Sequence, residues 1–188
     1  FGEFAEKGIL LGEMRYRKHE TEGFPTPSGK IELVSSVMAK MGRPPLPVYI
    51  EPPASLAEDR VKKYPYILMT GNKILPYFHS EGRQIPSLRR LRPEPWVSVH
   101  PELAKSRNFA EGDAVAVITP WGRSQFVLHI DDALQPDVVH AEHAWWFPER
   151  PGPDHAWKES AANLLFGHES FDPDSGAEPL KSSRCQLE

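Results

Sequence analysis

The chain carries a single cysteine, Cys185, among its 188 residues. That excludes an internal disulfide framework and any metal site built wholly from cysteines of this chain. No uninterrupted apolar run approaches the length of a membrane span, which argues against direct membrane insertion. There is no basic excess either. The 22 Lys and Arg against 26 Asp and Glu leave a net charge of -4, which argues against nucleic acid as the main partner. No Ser–His–Asp order, P-loop or G-x-G-x-x-G fingerprint is present. The chain starts at Phe1 with no charged-then-apolar leader after it, which fits a processed protein or a piece of a longer one.

What the chain does have is proline, 20 residues of it, much of it in clusters such as Pro44-Pro45 and Pro52-Pro53. These read as punctuation between short strands. The length suits one domain with an extension. Residues before Phe24 are polar, without periodicity, and are expected to be poorly ordered in isolation. Lys30-Ile31-Glu32-Leu33 alternates like a short strand. Ser35 or Ser36 is expected to cap a brief helix through Val37, Met38 and Met41, closed by Gly42. The proline-rich stretch up to Lys63 reads as an extended connector.

From Tyr64 the pattern changes. Tyr66–Met69, Trp96–His100, Ala114–Ile118, Gln125–Ile130 and Asp137–Ala141 each read as strands. Pro101–Lys105 reads as a short helix with proline in its permitted first turn. Glu111-Gly112-Asp113 marks a turn, and Trp121-Gly122 suits a hairpin between the third and fourth strands. Short strands with minor helices indicate a mainly β fold, a barrel or a sandwich.

Few residues carry chemistry. Thr70, Asn72, His79 and Ser80 supply donors around Gly71, where a backbone can turn or approach a ligand closely; a plain strand end with a glycine turn accounts for the same residues. Asn163 interrupts the apolar run Ala161–Leu165 and needs amide partners if buried, or caps a turn. Lys181 by itself reads as a solvated group. Trp145-Trp146-Phe147, with Trp157 and Phe166, form a core or wall a funnel, with core favoured. Arg83, Arg89, Arg90 and Arg92 form a basic stretch that suits docking to the rest of an enzyme, or a pyrophosphate, with a solvated face favoured. His140 and His143, on a continued strand, point to opposite faces and do not read as a zinc site. Cys185 reads as a small apolar filler.

Four motifs occur in a telling order. Ser28-Gly29-Lys30-Ile31-Glu32-Leu33 precedes Thr70-Gly71-Asn72 with its following His79-Ser80; Glu111-Gly112-Asp113 and Trp145-Trp146-Phe147-Pro148 come after. Together they resemble the C-terminal, dinucleotide-binding domain of the molybdopterin oxidoreductases, the dimethyl sulfoxide reductase family, from about Phe24 to Leu187. The resemblance implies a six-stranded double-psi β-barrel with short peripheral helices over residues 64–188. It implies that residues 1–63 are an extension and connector from a preceding domain. It further implies a cofactor-holding module of a larger molybdenum or tungsten enzyme with a bis(molybdopterin guanine dinucleotide) cofactor. The metal and an iron–sulfur cluster would belong to other domains, and the chain itself would hold no catalytic residue and no metal ligand.

The family places Thr70, Gly71, Asn72, His79, Ser80, Asn163 and Lys181 at the cofactor. Asn72 stands where an arginine is common, so the fork that would grip a phosphate is missing there. The implied partners are the preceding domains of the same large subunit and an iron–sulfur electron-transfer subunit. A soluble chain on either side of a membrane is expected. Two other readings stay open at this stage: a double-psi recognition domain of an ATPase machine, without pterin, and a free-standing small subunit of a pterin enzyme.

Overall fold

The structure, a computed structural model, describes residues 1–9, 12–49, 58–71, 74–167, 171–172, 174–178, 180–181 and 183–188. The chain divides into two compact units, Phe1–Ile50 and Glu51–Glu188.

The first unit is made of local turns. Short helices at Gly2–Lys7 and His19–Glu22 bury no residue. The helix Ser36–Lys40 forms as expected, with the Ser35 hydroxyl oxygen accepting from the Met38 N–H at 3.2 Å. Lys30–Leu33 is not a strand. The Glu32 carboxylate instead accepts from the backbone N–H groups of Ser28 at 3.1 Å and Ser36 at 3.2 Å, and from the Ser36 hydroxyl at 2.8 Å. These bonds fold the segment back on itself, so it offers no ladder to a neighbour. They also hold the Glu32 carboxyl below the usual carboxylate range, the Ser36 hydroxyl contributing most.

The second unit opens with a helix, Glu58–Lys63, where the sequence suggested an extended connector. This last stretch before the barrel has no proline, and the helix packs on the closing strand. The part of the expected connector at residues 50–57 lies outside the described residues. Six strands follow: β1 Tyr66–Met69, β2 Trp96–Val99, β3 Ala114–Ile118, β4 Arg123–Ile130, β5 Val138–Ala141 and β6 Ser183–Leu187. They close in the order β1-β5-β2-β4-β3-β6. β1 pairs in parallel with β5 (Leu68 opposite Val139), and β2 with β4 (Val97 opposite Leu128); the other pairs are antiparallel. This is the six-stranded mixed barrel, with short peripheral helices, that the double-psi reading implies.

Period-two alternation fills the interior. Leu68, Val97, Val99, Val115, Val117 and Leu128 are fully buried. The alternation is plainest on β4, where Ser124, Phe126 and Leu128 are buried between more exposed neighbours, whereas Ser98 on β2 and Ala116 on β3 are covered on the opposite face as well. Cys185 belongs to the same core, and burial pushes its thiol far up, so it is the inert filler expected. Each such aliphatic side chain contributes about 1.5–3 kcal/mol through burial. The barrel corners are set by short-range chemistry. Pro101–Ser106 is helical behind His100, whose Nδ1 accepts from the Glu102 N–H at 3.1 Å. In the Glu111–Asp113 turn, Asp113 accepts from the Ala110 N–H at 2.8 Å and Glu111 from the Ile130 N–H at 2.6 Å. The β3–β4 hairpin closes through Thr119 N–H to Gly122 O at 2.9 Å.

Candidate functional site

At the end of β1, Thr70 is buried and does not offer its hydroxyl outward. Both its N–H, at 2.9 Å, and its hydroxyl, at 3.2 Å, donate to the carbonyl of Leu180. The hydroxyl thus draws the segment carrying the exposed Lys181 to the end of the strand. Gly71 follows at φ +96°, a conformation that favours glycine, and an added Cβ would meet no protein atom within 4 Å. Its free face is open. Asn72 lies outside the described residues.

The next turn, Tyr77–Arg83, is held from both sides. Glu81 N–H donates to Phe78 O at 2.9 Å, and His79 sits at φ +51° in the left-handed region. The segment after β5 grips this turn. Trp146 Nε1–H donates to Ser80 O at 2.6 Å, and His79 Nδ1 lies 3.1 Å from His143 Nε2. That contact is a hydrogen bond when one ring is neutral and supplies the acceptor. Burial above all, then the neighbouring His79 and Arg83, keep His143 below the ordinary histidine value.

Beneath both turns lies Arg83, fully buried. This corrects the reading of Arg83 as part of a solvated face. Its guanidinium lies against Tyr77 and Trp145, which meet edge to face, with Cζ 4.6 and 4.5 Å from the ring centroids. Burial lowers its pKa to about 10, so it stays charged at neutral pH. Arg92 is only partly exposed, pairing with Glu142 at 3.2 Å and lying over Trp96. Glu142 is buried and accepts at 3.0 Å from the Trp96 N–H and at 3.0 Å from the Trp145 indole. Burial raises its pKa, against the pull of those donors and of Arg92 and Arg83.

Asn163 is on a 3-10 turn, Ala162–Leu165, whose position is dictated by β4 and its hairpin. The Ser124 hydroxyl donates to Ala161 O at 2.9 Å. Gly122 is glycine because a Cβ there would lie 2.3 Å from Leu164 O. Ala162 and Leu165 are buried, which leaves Asn163 exposed rather than sunk in an apolar run. Its side chain looks onto a cavity of about 1120 Å³ that Ser80 also lines, with Phe78, Trp146 and Trp157 among the walls. The aromatic cluster thus has two roles. Trp145 is core, packed with Ile74 and Tyr77, and one side of it also reaches the cavity, where the more exposed Trp146 and Trp157 form further wall.

The candidate residues thus fall into two groups. Ser80 and Asn163 share the large cavity, with His79 in the turn beside it. Thr70, Gly71 and Lys181 gather at the end of β1, and they are not among the residues lining that cavity. His140 and His143 do not lie on one continued strand. β5 ends at Ala141, so strand alternation places only His140, which lines a second, smaller cavity of about 260 Å³. Among the described residues no group of three His, Cys, Asp or Glu is placed to hold a metal. Sequence reasoning missed Arg83, Glu142 and His143 as organisers of the site. No local signal marks them, because Arg83 meets Trp145 and His143 only through the fold.

Comparison with known proteins bears on the same region. Residues 66–184 match the model of the molydopterin dinucleotide binding domain. Dopamine dehydroxylase of Eggerthella lenta is 38% identical over 170 residues, covering 88% of this chain and 17% of its own. Acetylene hydratase of Syntrophotalea acetylenica is 38% identical over 135 residues, covering 71% of this chain and 18% of its own. The solved acetylene hydratase from Pelobacter acetylenicus superposes with a TM-score of 0.78 at 31% identity, covering 88% of this chain and 24% of that one. The chain therefore spans less than a quarter of the length of the proteins it matches.

Proposed function

The chain belongs to the molydopterin dinucleotide binding domain family, and from that premise we propose that it holds one molybdopterin guanine dinucleotide within a larger molybdenum or tungsten oxidoreductase. The observation that carries the reading is the convergence of Ser80 and Asn163, distant in sequence, on one aromatic-walled cavity of about 1120 Å³. That volume is ample for a fused heterocycle with its nucleotide arm, since ordinary ligand pockets hold about 300–1,000 Å³. The open space beside Gly71 is the second point of fit, because a phosphate can approach the backbone there.

In this reading Asn163 and Ser80 hold the pterin ring through amide and hydroxyl bonds, with Trp146 and Trp157 as flat apolar walls. His79 adds an imidazole at the rim. The Gly71 backbone and Lys181 face the pyrophosphate, Lys181 as a point charge. Thr70 acts indirectly, by tying Leu180 and so Lys181 to the loop. When bound, the cofactor would carry the metal chemistry, and this chain would bind and orient it. No residue of this chain takes a catalytic role. The preceding domains of the same large subunit, and an iron–sulfur subunit, complete the assembly in this proposal.

The test is the pterin content of the full-length protein that contains this chain. Asn163→Ala and Ser80→Ala should each lower it while the unfolding temperature stays near that of the parent. Full occupancy in both variants would remove the cavity from the cofactor site.

A further inference from the structure

We infer that Arg83 is a positioning residue for the cofactor cavity, a single buried guanidinium that ties the His79–Ser80 turn to the His143–Trp146 turn and so fixes the cavity's shape. The inference rests on the cofactor reading above. Arg83 Nη1–H donates to His79 O at 2.5 Å and Nη2–H to His143 O at 3.4 Å. These two carbonyls belong to different segments, one before β2 and one after β5.

Each segment carries a non-glycine residue in the left-handed region at this point. His79 has φ +51°, and Ala144, directly after His143, has φ +61°. Backbone of this kind persists only where its surroundings over-determine it. Arg83 supplies that constraint to both turns at once. Trp146, which reaches across to Ser80 O, and Ser80 itself both line the cavity. Moving either turn therefore moves the wall that faces the ligand.

Stability alone does not call for an arginine here. Its Nε is buried without a hydrogen-bond partner, and its neighbours Tyr77 and Trp145 are aromatic surface that an apolar side chain packs against equally well. A buried charge is weak support for a fold compared with apolar packing of similar volume. What an apolar side chain cannot do is donate from one rigid plane to two carbonyls on two segments. Arginine at this position is explained by placement.

The experiment compares Arg83→Met, Arg83→Lys and Leu128→Ala in the full-length protein. Leu128 is fully buried in the barrel and serves as a control for general destabilisation. Pterin content, unfolding temperature and hydrogen exchange of the segments 77–84 and 142–148 are read on each. In Arg83→Met both segments should exchange faster together, and pterin content should fall roughly tenfold, the change that a loss of about 1.4 kcal/mol in binding produces. Arg83→Lys, which keeps the charge but not the fork, should fall between. Leu128→Ala should lose more thermal stability yet keep its pterin and the slow exchange of both turns. Full pterin content in Arg83→Met, or a loss no greater than in Leu128→Ala, would overturn the positioning role. A parent protein without any pterin dinucleotide would overturn the cofactor reading itself, and the role of Arg83 with it.

Discussion

Gly122→Ala is the substitution whose consequence follows most directly from the geometry. A Cβ at residue 122 would sit 2.3 Å from the carbonyl oxygen of Leu164, a backbone atom, where real Cβ contacts do not fall below 3.0 Å. The hairpin or the turn Ala162–Leu165 must therefore move by at least 0.7 Å. The turn is poorly able to yield. Ala162 and Leu165 are buried, and Ser124 holds Ala161 O at 2.9 Å. At the far end of the turn, Gly167 lies so close to the Trp121 indole that a Cβ there would be 2.0 Å from its Nε1. Overpacking against a held backbone costs about 1–3 kcal/mol. For a domain of this size that lowers the unfolding temperature by roughly 2–4 °C for each kcal/mol. Because the displaced turn presents Asn163, pterin content should fall as well. Thermal unfolding and pterin assay of the variant check both effects. An unfolding temperature equal to the parent's would show that the turn is not fixed by the hairpin, and the account of how Asn163 is placed would fail.

Three further outcomes are expected. Gly71→Ala meets no protein atom but forces an L-residue to φ +96°, so stability should drop by only about 1–2 kcal/mol while pterin content falls disproportionately; undiminished pterin would place the cofactor elsewhere. Leu68→Ala, in the fully buried interior of β1, should cost about 2–5 kcal/mol in urea unfolding, and a cost under 1 kcal/mol would misplace the core. Burial depresses His143, as it does His140, below the ordinary 6.5, so their stabilisation is complete above that pH and is lost as pH falls through the folded values. Glu142, raised above 4.5, contributes with the opposite sign, losing its stabilisation as pH rises through its folded value. On acidification below 6.5 the two histidines lower the urea midpoint while Glu142 raises it. His143→Gln, which removes one histidine share, should therefore shift the profile toward higher relative stability in acid, and an unchanged profile in that variant would refute the assignment.

The strands were legible because their signal is local. Ala114–Ile118 and Tyr66–Met69 are apolar runs between turn residues, and their bounds in the structure are those read from the chain. The closed order of the barrel was not legible in this way. Parallel pairing of β1 with β5 joins segments separated by half the domain, and only the resemblance pointed to it. Local signals also misled where a side chain competed with the backbone. Lys30–Leu33 alternates well, yet the Glu32 carboxylate captures two N–H groups on either side and the strand never forms.

The largest misreading, Arg83, has the same origin as the barrel order. A guanidinium is exposed by default because nothing in its own neighbourhood shows what would repay its desolvation. Here the repayment comes from Trp145 and His143, both beyond β5, and from the carbonyl of His79 in a turn whose left-handed conformation no periodicity signals. Thr70 errs in the opposite direction, since its hydroxyl looks free in the sequence but is spent on Leu180, next to β6. In both cases the residue type was right for a site and its partner was a strand away. Residues that touch a ligand can be nominated from their chemistry, whereas residues that set the ligand's walls are defined by pairings across the fold. Of the second kind, Arg83 is the one whose removal should separate a folded barrel from a loaded one.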